Sequence, residues 1–447
     1  MTSLLRRGAL LAFAAAAMSV PAKPALAQNQ EQFYFSDDAA LTAGAVVAYP
    51  DDPGSLWYDP AGLGGIHRSR VSLSASVIGV RLRTVPGALA TEVDGGRRAL
   101  DLSATNLIST PHAFTLLISP NDDFTLGFGV YVTTKDVLSA AANDLAAPLP
   151  SRAGETLDAR ADVLANVTKT TFGPGIGFPI APGVRLGFAL YGSFFEAITQ
   201  TDAATRVGPG TASDLVASSI DRVGSSAWGL AATGGLQWDA SSKVHLGLLL
   251  RSPELVLAGS GSRVTTLTST VASAPLTTTT AIDESGAPSW LAAPHVVVGT
   301  MFEPARGLRL SAEVDLATGI SNDALFIRRD AVVDGRLGVE WKALDELILG
   351  AGVFTDLATD HALGDTLAAS RVDYFGGTLG ASILTPIAVL DRDGKEPLIL
   401  TTTISLRYSV GVGDGRTFAS DGRALDAGST SVVFHDFMPY TGSGVLF

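Results

Sequence analysis

The residues of this chain able to do chemistry are six histidines, one Asp-rich and one Gly-rich motif, and a set of charges set at alternate positions. A hydrolase needs a nucleophile, a base and a group that orients the base, all converging on one site. His67, His112, His245, His295, His361 and His435 are scattered along the chain, and no Ser or Asp beside them completes such a set. DRDGKE, residues 391–396, opens with D-x-D-G spacing, but a calcium loop needs further oxygen ligands and a distant bidentate Glu. A turn between two strands is the simpler reading. GPGIGF, residues 173–178, has the glycines of a phosphate loop, yet no helix follows and Pro174, Ile176 and Phe178 alternate as in a strand. The sequence therefore predicts no catalytic residue, no metal site and no cofactor.

Arg309, Glu313, Asp315, Arg336 and Glu340 share the inner face of their segments if those segments are strands. An ion-selective pore would line its whole bore with such groups. Here many equivalent positions carry Gly, Ser, Thr or Ala, so a polar through-channel is disfavoured. Two roles remain for the charges: pairing that stiffens the wall, and capture of a carboxylate headgroup by Arg309 or Arg336. The Thr-rich TTLTSTVASAPLTTTT reads as an external loop.

The elements that must position these residues are strands with a period of two. In FTLGFGVYVTT, Phe124, Leu126, Phe128, Val130 and Val132 share one face, and Thr125, Gly127, Gly129, Tyr131 and Thr133 the other. VRLGFALYGSF, VHLGLLL and LRLSAEVDL repeat the pattern. Such alternation over ~10 residues is what a lipid-facing barrel strand requires, because only a closed sheet satisfies its backbone inside a bilayer. Segments near 69–83, 112–119, 124–134, 171–181, 184–198, 226–238, 243–261, 294–303, 307–317, 334–341, 346–356, 372–384, 397–410 and 431–447 qualify, fourteen in all. Long connections (84–111, 135–170, 199–225, 262–293, 318–333, 357–371 and 411–430) alternate with short ones such as SPND, PG and DASS. Outer-membrane barrels sort their loops in this way, with short turns in the periplasm and long loops outside. Both chain ends then lie on the periplasmic side.

Composition agrees. Residues 1–27 read as a secretory leader: Arg6 and Arg7, an apolar run, then Ala25, Leu26 and Ala27 as a small-residue cleavage site. Without them the chain keeps 28 basic against 44 acidic residues, which disfavours nucleic acid as a partner. There is no cysteine. Mean hydropathy is +0.30, yet after the leader no apolar run reaches the ~18 residues of a spanning helix.

Residues 28–68 are too apolar for a solvated tail, with Phe33, Tyr34, Phe35, Tyr49, Leu56, Trp57, Tyr58 and Leu63 among them. A barrel lumen would give them a surface to pack on. Asp59, Pro60, Ala61 and Gly62 would make a tight turn there, Pro60 fixing φ and Gly62 allowing close approach to the wall.

The stretch DDAALTAGAVVAYPDDPGSLWYDPAGLGG resembles the N-terminal hatch of the FadL-type long-chain fatty acid transporters, in which an Asn-Pro-Ala turn follows a segment rich in Ala, Gly and Asp. Residues 173–196 are similar to the family's paired strands around a short turn, and residues 226–261 to its later hairpin with a long returning strand. The resemblance implies a fourteen-stranded antiparallel transmembrane β-barrel (residues 69–447) plugged by a hatch (residues 28–68). It also implies passive uptake of hydrophobic or amphipathic small molecules such as long-chain fatty acids across the outer membrane of a Gram-negative cell. The hatch turn would be Asp59, Pro60, Ala61 and Gly62; the pocket would involve Trp57, Tyr58, Leu63, Arg309 and Arg336. Asp59 stands where the family has Asn, keeping an acceptor but losing amide donors. Partners would be the hydrophobic ligand, outer-membrane lipid and the barrel-insertion machinery, the last recognising the terminal Phe447. A polar-solute porin and a structural or adhesive surface barrel are the other classes this pattern allows.

Overall fold

The computed structural model describes residues 33–447 apart from 94–95, 149–153, 209–214, 272–273, 286–288, 361–362, 364–365, 388–397 and 422–424. The leader, His361 and residues 391–396 lie outside the described residues.

The fold is all-β. The first strands are long: β1 (Arg70–Val93), β2 (Gly96–Asn121), β3 (Phe124–Pro148), β4 (Thr156–Ala181), β5 (Val184–Gly208) and β6 (Leu215–Ser241). Shorter ones follow: β7 (Val244–Arg251), β8 (Glu254–Val271), β9 (Ala274–Ser285), β10 (Trp290–Ala292), β11 (His295–Ala305), β12 (Leu308–Ala317), β13 (Ile320–Asn322) and β14 (Ile327–Arg329). The chain ends with β15 (Val332–Leu344), β16 (Leu347–Asp356), β17 (Ser370–Ile387), β18 (Leu398–Ser420) and β19 (Leu425–Leu446).

Antiparallel pairing runs in order from β1 to β6. β6 then pairs with β7 near the short turns and with β8 farther out. β7 pairs with β11, and β8 with β9 and β10. From β11 the circuit passes through β12, β15, β16, β17 and β18 to β19, which pairs back onto β1. The circuit is therefore closed, and among the described residues β9 pairs with β8 alone and extends it as an outer edge. Among the described residues the sheet holds 17 strand segments rather than the fourteen runs read from the sequence. It is mixed because Leu89, Ala90 and Thr91 of β1 run parallel to Phe418, Ala419 and Ser420 of β18.

Period-two patterning explains the closure. In β12, Leu310, Val314 and Leu316 are exposed on the outer face while Ser311, Glu313 and Asp315 are buried inside. In β5, Phe188 and Leu190 face out and Ala189 and Tyr191 in. The connections at 84–111, 135–170, 199–225, 262–293 and 411–430, expected as loops, are strand for most of their length. They alternate small and polar residues instead of large apolar ones, so their hydrophobic contrast is weak, but cross-strand pairing continues through them.

Two strand breaks face each other. Ser252 and Pro253 separate β7 from β8, and Ala293 and Pro294 separate β10 from β11. Arg251 still pairs with His295 below the break and Glu254 with Ala292 above it. Neither proline has an N–H for the ladder. The nearby bonds turn to the outer neighbours instead: Ser252 N–H donates to the Ala232 carbonyl at 2.8 Å, and Thr318 N–H to the Pro294 carbonyl at 3.3 Å.

Candidate functional site

Residues 33–66 lie within the ring of strands. A short helix, α1 (Asp37–Leu41), is capped by Ser36, whose Oγ accepts from Ala39 N–H. A second, α2 (Ser55–Tyr58), leads into a 3₁₀ helix, Pro60–Gly65. Asp59 caps that helix: its Oδ1 accepts from Ala61 N–H at 2.9 Å, and Pro60 occupies a first-turn position where no N–H is needed. Burial holds the Asp59 carboxyl well above the usual carboxylate range, with the Ala61 amide opposing.

Wall residues grip this segment from all around. The Thr125 hydroxyl (β3) donates to the Ile66 carbonyl at 2.9 Å, and the Tyr191 hydroxyl (β5) to that of Leu56. The Gln237 amide (β6) donates to the carbonyls of Val47 and Tyr49, both at 3.0 Å. Glu313 (β12) accepts from Val46 and Val47 N–H at 3.1 and 3.0 Å. On the far side the Thr378 hydroxyl (β17) donates to the Leu41 carbonyl at 3.1 Å, and the Tyr440 hydroxyl (β19) to Asp37 at 3.1 Å. Segment and wall share one apolar core in which Phe33, Tyr34, Phe35, Tyr49, Leu56 and Leu63 pack with Ile108, Leu117, Tyr131, Met301 and Met438. The wall thins where they meet. A Cβ on Gly187 would strike the Pro60 carbonyl, and one on Gly235 the Asp59 carboxyl, so glycine is required at both places.

Above this packed segment is a cavity of about 120 Å³. Its floor carries Phe33, Phe35 and Trp57, and its side Tyr191. Trp57 meets Phe35 edge-on at 5.2 Å, Tyr131 at 5.1 Å and Tyr191 at 5.6 Å between ring centroids. Lys169, Arg251, Glu254, His295, Asp315 and Arg329 supply the polar lining, and Ser252, Ala292 and Ala293 bring the double strand break to its edge.

Of the residues singled out from the sequence, Trp57 lines this cavity and Tyr58 and Leu63 pack beneath it in the shared core. Asp59, Pro60, Ala61 and Gly62 form the capped turn against β5 and β6. Arg309 and Arg336 do not line the cavity. Arg309 reaches Glu303 at 3.1 Å and Asp51 and Glu340 at 3.8 and 3.9 Å, and lies 5.6 Å from the Tyr49 ring. Arg336 is paired with Glu313 and, at 3.4 Å, with Asp315. Sequence reasoning missed Phe33 and Phe35 as lining residues, along with Lys169, Tyr191, Arg251 and Arg329. The available signal was a large aromatic, such as Tyr131 or Tyr191, at an inward position where small residues dominate.

No protein-family model and no curated protein matches the chain. Solved structures do. A Pseudomonas aeruginosa FadL homologue superposes with a TM-score of 0.62 at 12% identity, over 93% of this chain and 99% of that one. The Pseudomonas putida toluene transporter TodX gives 0.56 at 11%, over 93% and 99%. The Ralstonia pickettii toluene transporter TbuX gives 0.53 at 12%, over 94% and 99%. At such identities the likeness is one of architecture, and in architecture the chain is a β-barrel of the FadL type.

Proposed function

We propose that the chain is an outer-membrane transporter for passive uptake of small apolar or amphipathic molecules, with residues 28–68 as a hatch that closes the lumen. If β7 with β8 and β10 with β11 count as single crossings, and β9, β13 and β14 as external structure, the pairing circuit has fourteen crossings. That even number leaves both ends on the short-turn, periplasmic side.

The observation that carries the reading is the aromatic-floored cavity resting on a packed internal segment. An open porin has no use for a buried apolar plug in its bore, whereas a transporter of greasy ligands needs a dry stop beneath its binding site. The cavity's size favours a compact ligand, since a ~150 Å³ apolar cavity accepts benzene, and single-ring compounds fit it better than an extended acyl chain. Long-chain fatty acids are the second reading, supported by the resemblance of the hatch sequence. Ligand leaves after the hatch shifts, sideways through the wall at the facing breaks around Pro253 and Pro294, because these border the cavity and lack ladder bonds.

Uptake of a labelled monoaromatic hydrocarbon and of a labelled long-chain fatty acid, by cells carrying the intact chain or Asp59→Arg, tests this. The intact chain should take up the ring compound and the variant should not. Near-silence of the intact chain in planar bilayers should accompany this. A large steady ion conductance without hydrocarbon uptake would favour the porin reading instead.

A further inference from the structure

The cavity is lined by aromatic rings and by an excess of cations, and these charges do not cancel. Lys169 is bound to Glu254, which also takes the Ser193 hydroxyl. Asp315 is held by His295 at 3.2 Å and by Arg336 at 3.4 Å. Both lining carboxylates are thus engaged, and among the described residues no carboxylate lies within ion-pair distance of Arg251 or Arg329, although Asp360 and Glu254 act on Arg329 from farther off. Arg251 lays its guanidinium 4.1 Å above the Trp57 ring and gives one N–H to the Trp57 carbonyl at 3.0 Å. The Nε of each arginine is buried without an acceptor. A guanidinium is a rigid fork of five donors that suits a carboxylate, and withdrawing one from water unpaired is costly.

We propose that this cavity selects a single aromatic ring carrying a carboxylate. The ring rests against Phe35, Trp57 and Tyr191, and the carboxylate lies between Arg251 and Arg329. The inference deepens the transport reading and rests on its assignment of the cavity as the ligand site. A plain hydrocarbon would satisfy the floor and leave both guanidiniums as they are. An aryl carboxylate satisfies both the rings and the guanidiniums, the latter with charge-assisted bonds.

Binding of 3-phenylpropanoate and of propylbenzene to the purified full-length chain in non-ionic detergent, by equilibrium dialysis at neutral pH, tests the proposal. The acid should bind about tenfold tighter than the hydrocarbon. That ratio should collapse towards one in the double variant Arg251→Gln, Arg329→Gln. If the double variant does not fold, Arg251→Lys in the otherwise intact chain should still lower the ratio, because it keeps the charge and loses the fork. Equal binding of the two probes, or an unchanged ratio in the variants, would overturn the proposal and leave the transport reading standing. Binding of neither probe would overturn both.

Discussion

The carboxylate of Glu313, on the barrel wall, takes the backbone N–H of Val47, in the lumen, at 3.0 Å. It takes that of Val46 as well, at 3.1 Å, while its other oxygen is paired with Arg336. One buried acid therefore both docks the N-terminal segment and neutralises a wall arginine. Glu313→Ala would leave two buried donors without this acceptor, at a cost of about 3 kcal/mol. Hydrogen exchange of residues 44–49 should then accelerate roughly a hundredfold. Unchanged exchange would show that the wall does not hold the segment.

Asp59 acts as a cap whose carboxyl is held well above the usual carboxylate range by burial. Asp59→Asn keeps the accepting oxygen and should match or exceed the parent in stability at neutral pH. Asp59→Ala should cost about 1 kcal/mol. The check is exchange at Ala61, which should be faster in the alanine variant alone.

Docking of the segment should weaken as pH rises. Burial, and then the Asp51 carboxylate, push the Asp38 carboxyl from 3.8 up to about 6, against the pull of Arg309. Asp52 is raised as well, by burial and then by Asp38. The docked segment thus binds protons more tightly than the free one, so stability is full below pH 4 and declines between about 4 and 6 for Asp38. Protease cleavage within residues 33–66 should increase over that window. Greater protection at higher pH would contradict the assignment.

The double break in the wall predicts a separation of binding from uptake. Pro253→Val with Pro294→Val restores two N–H donors where β7/β8 and β10/β11 face each other, allowing the ladder to close. Uptake of a ring hydrocarbon by cells should fall while its binding to the purified protein is retained. Full uptake in the double variant would place the exit elsewhere.

Much of the wall was legible because its face is written two residues at a time. The segment LRLSAEVDL carries in its letters the exposed Leu310, Val314 and Leu316 and the buried Glu313 and Asp315. The density of aromatics before residue 68 likewise signalled a segment in need of a surface, and Phe33, Tyr34 and Tyr49 are buried. Alternation gives a residue's face but not its height in the barrel. The meeting of Arg251 with Trp57, 194 residues apart, was therefore out of reach, and with it the charged lining of the cavity. Residues 243–261 read as one strand, although Pro253 interrupts it. The outer halves of β1 to β6 were missed because Ala, Ser and Thr on both faces give little contrast.

Residues 33–66 are proposed to shift as a stop in the lumen when ligand passes, and the lack of native cysteine allows a direct test. Val47 packs with Leu249 and Val297 of the wall, so Val47→Cys with Val297→Cys can pin segment to barrel. Uptake of a labelled ring hydrocarbon should stop when that disulfide forms and return on reduction. Undiminished uptake with the disulfide fully formed would contradict the account.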